Sequence, residues 1–245
     1  ADESTLWIGT AGAHTPCHID TFGCNLVAQV HGTKTWTLFP PDQTKYLYPT
    51  RVPYEESSIY SSVNFMNISL DNHPNMASAT PYTVELTAGD VLFVPKHWWH
   101  FVRSSDFSIS INTWIDLPSD SIDKLKEALV FYQVGNFCQN IDSTEELMDI
   151  LNPNMHHIAS MSSEEIFQTI KERIIEEKAR ESLGNVTASD GKSSASMKTF
   201  EPVKSISMEE YLKSMPWHSD PCTNATSEGM EENNDNSLHK IFLES

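Results

Sequence analysis

No stretch of this 245-residue chain approaches the roughly 18–20 uninterrupted apolar residues that a membrane-spanning helix needs, so no membrane partner is expected. Basic residues are scarce: 16 Lys and Arg stand against 34 Asp and Glu, a formal charge of −18. Affinity for phosphate backbones comes mainly from Lys and Arg, so a nonspecific nucleic-acid binder is excluded and no nucleic-acid partner is expected. Cysteine is sparse too. Cys17, Cys24, Cys138 and Cys222 form no CxxC pair, which removes zinc-finger and chromatin-reader patterns. Four thiols in this length do not make a disulfide scaffold, so a reducing, cytoplasmic compartment is the expectation. No internal repeat is present. No secretory pattern opens the chain, but an initiator Met is also missing, and the sequence is expected to be a fragment.

The two halves of the chain differ. Residues 6–118 are rich in aromatic and β-branched side chains, whereas the remainder is helical in pattern and then polar. Residues 1–117 carry five basic and eleven acidic groups, and the rest carry eleven and twenty-three, so most of the acidity is C-terminal. Strands are expected at Leu6–Gly9, Asn25–Val30, Thr35–Phe39, Tyr82–Leu86, Val91–Val94, Trp98–Arg103 and Ser108–Ile115. The second and third of these, joined by His31-Gly32, read as a hairpin, and Pro40-Pro41 stops the latter. In the last, Ser110, Asn112 and Trp114 share one face, opposite Ile109, Ile111 and Thr113. Many short strands punctuated by turns indicate a mainly β fold, a jelly roll or barrel, over residues 1–117. A short helix is expected near Asp42–Tyr46.

Residues 118–181 are expected to be a helical segment. A helix starts near Ser119, which can cap it, and places Ile122, Leu125, Leu129 and Tyr132 on one stripe. Glu145–Leu151 is a short helix. Another opens at Ser162-Ser163-Glu164-Glu165, with Ile166, Ile170, Ile174 and Ile175 on a face. A homodimer follows if the two longer helices pair across a two-fold axis; packing of the same stripes on their own barrel is the alternative. Residues 182–245 are Ser/Asn/Gly/Asp/Glu-rich, the composition of a mostly disordered acidic tail. The exception is Met208–Trp217, a short docking segment.

The sharpest chemical signal is His18-Ile19-Asp20. Residues two apart on a strand face the same side, so one imidazole nitrogen and one carboxylate oxygen can share a metal ion. His100, in Lys96-His97-Trp98-Trp99-His100, is the candidate third ligand, and His97 is its rival. Two His and one carboxylate on one face of an octahedron leave three positions open, which suits Fe(II) with a bidentate 2-oxo acid and dioxygen. The other histidines read as surface or turn residues, Trp36, Trp98 and Trp99 as core packing, and Lys34, taken alone, as a strand-end lysine facing water.

Together, Thr15-Pro16-Cys17-His18-Ile19-Asp20, Asn25, Gly32 to Pro41, Gly89 to Pro95, Trp98-Trp99-His100 and Asn112-Thr113-Trp114 resemble the JmjC family of Fe(II)/2-oxoglutarate-dependent oxygenases over residues 5–117. The arrangement is similar to the small hydroxylase-type branch that includes the asparaginyl hydroxylase acting on hypoxia-inducible factor. The resemblance implies a cupin-like double-stranded β-helix that holds iron at His18, Asp20 and His100. It implies 2-oxoglutarate as co-substrate, its distal carboxylate held by Lys34 and Thr15, with Asn25 and Asn112 facing the site. It further implies hydroxylation of a protein side chain. As a second reading it implies a scaffold that binds and regulates a small heat-shock protein in the stress response, with the acidic second half as docking region. A cupin-like zinc or manganese enzyme without 2-oxoglutarate is a third reading, disfavoured because Lys34 then has little to do. The charge of −18 argues against contact with nucleosomes.

Overall fold

The computed structural model describes residues 4–51, 59–141, 146–147, 151, 158, 160–184, 202–215 and 239–242. Two compact units emerge: residues 1–50, 59–115 and 203–245 in one, and residues 51–58 and 116–202 in the other. The first unit is built on two antiparallel sheets. Strands β1 (Ser4–Gly9), β3 (Cys24–His31), β8 (Val91–Val94), β10 (Ser108–Ile115) and β11 (His239–Phe242) form one, in the order β11-β1-β10-β3-β8. Strands β2 (His14–Ile19), β4 (Lys34–Phe39), β5 (Pro49–Arg51), β6 (Ile59–Ser61), β7 (Tyr82–Leu86) and β9 (Trp99–Ser104) form the other, ordered β5-β6-β2-β9-β4-β7. From β1 to β4 and from β7 to β10, each strand lies in the sheet opposite its predecessor. That alternation is the winding of a jelly roll, and the mainly β expectation is met.

The alternation also corrects the hairpin reading of residues 25–39. β3 pairs with β10 and β8, whereas β4 pairs with β7 and β9. The turn at Gly32 is therefore a corner that carries the chain between sheets. Gly32 has a φ of 64°, and a Cβ there would lie 2.1 Å from the Phe107 carbonyl oxygen. The corner thus needs glycine both for its backbone angle and for its close approach to the 106–107 turn. Period-two patterning and a Gly turn are common to a hairpin and to such a corner, so sequence alone could not separate them.

Hydrophobic side chains fill two places in this unit. Val27, Trp36, Leu38, Leu86, Leu92, Val94 and Val102 pack between the sheets. Cys17, Phe39, Leu47, Phe65, Met76, Trp99 and Phe101 form a second cluster with Met208 and Tyr211. The last two belong to helix α3 (Met208–Ser214), whose N-cap Ser207 and N3 Glu210 make a reciprocal capping box. The segment is anchored by an antiparallel bridge between Ser205 and Tyr82. The Ile206 amide donates to the Pro81 carbonyl at 2.9 Å, and Thr37 Oγ1 donates to the Tyr211 hydroxyl at 3.0 Å. Of the docking segment expected at 208–217, the described residues 208–215 therefore pack on their own chain. The rest of the expected tail lies outside the described residues, apart from residues 182–184, 202–207 and 215 and strand β11.

In the second unit, α1 (Asp120–Cys138) and α2 (Ser163–Gly184) pack around Phe131, Ile158 and Ile166. A Cβ on Gly135 would lie 2.5 Å from Ile166 Cδ1, so the helices touch at a glycine. Two expectations fail here. Ser119 makes no side-chain capping bond; instead the Asp120 carboxylate accepts the Leu117 amide at 2.7 Å. The expected stripe is also rotated: Ile122 and Leu129 are exposed, while Asp120, Asp123, Glu127, Ala128, Phe131, Gly135 and Cys138 are buried. The buried acids are compensated. Lys126 pairs with Asp123 at 2.8 Å, and Arg51 meets Glu127 with both guanidinium nitrogens. On α2, Ile166 and Ile170 are buried but Ile174 and Ile175 are exposed. The helix expected at 145–151 lies largely outside the described residues. No described helix is long and apolar enough to cross a membrane.

Candidate metal centre

β2 and β9 are neighbours, and their register sets His18 directly opposite His100, with ring centroids 4.2 Å apart. Asp20 lies one residue beyond the end of β2, two residues after His18 and on the same face. One ligand atom from each of the three lies within 4.8 Å of the others. His18 Nε2 is 3.7 Å from Asp20 Oδ1, and His100 Nε2 is 3.9 Å from Asp20 Oδ2.

The tautomers follow from the backbone. His18 Nδ1 lies 2.8 Å from the Pro16 carbonyl and His100 Nδ1 lies 3.0 Å from the Trp98 carbonyl. A carbonyl only accepts, so each Nδ1 carries the proton and each Nε2 presents its lone pair toward the other two groups. This is the orientation that metal-binding imidazoles take, fixed through the second ring nitrogen. Asp20 Oδ2 accepts from Trp114 Nε1 at 3.0 Å and from Asn25 Nδ2 at 3.4 Å. Burial alone would raise the Asp20 carboxyl. The imidazoles of His100 and His18 and the two donors outweigh it, and the group is held below the usual carboxylate range.

These residues line a cavity of about 410 Å³, part of it open to solvent, between the two sheets. Lys34, at the start of β4, points across the cavity and donates to Ser110 Oγ of β10 at 2.6 Å. It is only 5% exposed, and burial lowers its ammonium from 10.5 to about 8. Among the described residues no carboxylate pairs with it. Thr15, Asn25 and Asn112 also lie on the cavity wall. Asn112 is engaged from the side, its Oδ1 accepting from Trp7 Nε1 at 2.8 Å.

All seven residues singled out in the sequence thus meet at one cavity. His97 does not join them: its Nε2 faces the Thr21 carbonyl at 3.1 Å, from a backbone φ of 63°. His14, His31 and His73 are likewise elsewhere, against Phe101, Phe107 and Tyr48. Trp36 does more than fill core, because it stacks on His100 at 5.8 Å and lines the cavity. Trp7, Ser110 and Trp114 were not singled out as site residues. Alternation along β10 already put Ser110 and Trp114 on the face of Asn112. Trp7 could have been found from the antiparallel register that sets it opposite Ser110.

The chemistry of this set fits a divalent first-row metal: two neutral imidazoles and one carboxylate on a single face, with the rest of the sphere open. Two buried atoms reinforce the fit to a small polar ligand beside it. Asn25 Oδ1 and Trp36 Nε1 both lie in residues of the cavity wall, and neither has a hydrogen-bond partner. Such groups are costly to bury unless something meets them.

Comparison with known proteins agrees with this architecture. Residues 1–121 match the cupin-like domain family. The chain is 56% identical over 128 residues to HSPB1-associated protein 1 of Homo sapiens, which is 52% of this chain and 26% of the relative. It is 34% identical over 111 residues to the lysine-specific demethylase JMJ31 of Arabidopsis thaliana, covering 44% and 20% of the two chains. It is 36% identical over 122 residues to tRNA wybutosine-synthesizing protein 5 of Homo sapiens, covering 49% and 36%. The chain therefore spans about a quarter of the length of the HSPB1-associated relatives that it matches.

Proposed function

Because residues 1–121 are a cupin-like domain of the JmjC type, we propose that this protein is an Fe(II)- and 2-oxoglutarate-dependent oxygenase that hydroxylates a protein side chain. One observation carries the reading. A His/Asp/His face and a buried ammonium with no carboxylate partner among the described residues share a single cavity. A charge buried against a lone hydroxyl is expensive, and a dicarboxylate bound through one end at the metal would neutralise it with the other.

In this reading His18, Asp20 and His100 hold the ion, and Lys34 holds the distal carboxylate of 2-oxoglutarate with Thr15 beside it. Asn25, Asn112 and Trp36 line the space between, and the apolar residues between the sheets limit water. Iron, when bound, supplies the activation of dioxygen and the oxidation of the co-substrate. The Nδ1 atoms of both rings are engaged by the Pro16 and Trp98 carbonyls, which leaves Nε2 of each as the ligand atom.

The test is anaerobic titration with Fe(II) and 2-oxoglutarate, read by the weak visible charge-transfer band of the chelate, beside His18→Ala. A band in the wild type that the variant lacks supports the oxygenase. No band in folded wild type refutes it. A second reading draws on the name of the relatives at 56% identity, HSPB1-associated protein 1: a protein that binds HSPB1, a small heat-shock protein. Direct binding of purified HSPB1 to the His18→Ala variant, undiminished from the wild type, would favour a scaffold whose output does not pass through the metal.

A further inference from the structure

We propose that Trp114 and Asn25 are positioning residues for Asp20: they bind its Oδ2 from the opposite sheet and so leave Oδ1 as the single ligand oxygen. The inference rests on the metal-binding reading above and adds what holds the carboxylate in place.

Asp20 needs such support. It lies beyond the β2 ladder, at the start of the 21–23 bend, so no strand pairing fixes its backbone. His18 and His100, by contrast, sit in register within paired strands, each with its ring pinned to a carbonyl. Asp20 is instead fixed through its side chain. Trp114 and Asn25 face each other directly across the β10/β3 pair, and both aim a donor at the same carboxylate oxygen, at 3.0 and 3.4 Å. An indole N–H can only donate and a carboxylate can only accept, so the polarity of the first contact is unambiguous. His18 Nε2 lies 3.7 Å from Oδ1 and His100 Nε2 lies 3.9 Å from Oδ2, so both oxygens are within reach of a shared ion, and two donors on Oδ2 occupy its lone pairs and favour one-oxygen ligation through Oδ1.

The second contact has a further consequence. Because Asn25 must turn its Nδ2 to the carboxylate, its Oδ1 faces the other way. That oxygen is buried, without a partner, in a residue only 4% exposed on the cavity wall.

Co(II) is the probe, added to the full chain and followed by its d–d absorption, with affinity from chelator competition. Trp114→Phe keeps an aromatic ring and removes the donor. It should weaken Co(II) binding on the order of 10-fold or more and change the band intensity as the carboxylate reorients. Asn25→Ala should act in the same direction. The double variant should lose less than the product of the two, since both donors serve one oxygen. If Trp114→Phe misfolds by circular dichroism, Asn25→Ala alone decides. Folded variants that bind Co(II) with wild-type affinity and spectrum overturn the positioning role and leave the metal site standing. Failure of the wild type to bind Co(II) overturns the metal reading itself.

Discussion

Lys34→Met should make the ligand-free protein more stable at neutral pH, although it removes a hydrogen bond. Lys34 is buried, and desolvation lowers its ammonium from 10.5 to about 8. At about 1.36 kcal/mol per pH unit, that difference corresponds to roughly 3 kcal/mol against the folded state wherever the lysine is protonated in both states, below pH 8. Methionine keeps the length of the stem and removes the charge. It also strips Ser110 Oγ of its donor at 2.6 Å, a loss of about 1 kcal/mol. The net expectation at pH 7 is a gain of about 2 kcal/mol. Above pH 8 the folded lysine deprotonates before the unfolded one, so the unfolded state binds more protons and wild-type stability rises with pH. The advantage of the variant should therefore shrink to near zero by roughly pH 10. Urea unfolding of both proteins at pH 7, 8, 9 and 10 measures the difference directly, other titrating groups cancelling between them. A variant that is less stable than wild type at pH 7, or a difference that does not change with pH, would refute the argument that Lys34 is a charge buried without compensation. The same variant should lose any thermal stabilisation that 2-oxoglutarate gives to the wild type.

Gly32→Ala should cost at least about 2 kcal/mol, because alanine must adopt a left-handed backbone and its Cβ meets the Phe107 carbonyl; an unchanged urea midpoint would show that the corner is not constrained as described. Tyr211→Phe should cost about 1 kcal/mol through the buried Thr37 hydroxyl left without its acceptor. It should also speed hydrogen exchange in the amides of α3, and exchange indistinguishable from wild type would mean that apolar packing of Met208 and Tyr211 alone holds the segment.

The fold was legible in the sequence where one period governs. Alternation over short runs located seven of the eleven described strands of the first unit and missed β2, β5, β6 and β11. It also placed Ser110, Asn112 and Trp114 on one face, and that face is turned inward while Ile111 and Ile115 are exposed. Polar residues point inward here because the inside is a cavity, and apolar ones point outward, the reverse of an ordinary sheet face. Pairing was not legible. The runs around Gly32 carry the same local signals whether they fold on each other or on strands more than forty residues away. The stripe on α1 misled for a related reason. Ile122 and Leu129 are at helical spacing, but burial is decided by what the helix meets. Three acids are buried instead because Arg51, Lys126 and the Leu117 amide satisfy them. Hydrophobicity ranks side chains by their cost in isolation, and an acid with a partner no longer pays that cost.

The site divides along the same line. His18 and Asp20 could be paired from the sequence because a strand puts residues two apart on one side. His100 needed only the assumption that two strand ends meet. The groups that orient Asp20 share no such period with it: Trp114 lies ninety-four positions away, on a strand of the other sheet. Local spacing can therefore reveal which atoms could bind a metal, whereas the contacts made by the Asp20 carboxylate depend on how the two sheets face each other. The same dependence explains why Lys34 read as solvent-facing when taken alone. Its position at the start of β4 says nothing of burial until Ser110, seventy-six residues on, is brought within 2.6 Å from the opposite sheet. The candidate ligands His18 and His100 on paired strands, Asp20 just past the end of β2, and the donors to Asp20 on the facing sheet are thus coupled through the closure of the jelly roll. A substitution that shifts one sheet against the other should disturb Asp20 and Lys34 together while leaving the His18–His100 pair, which shares a single register, in place.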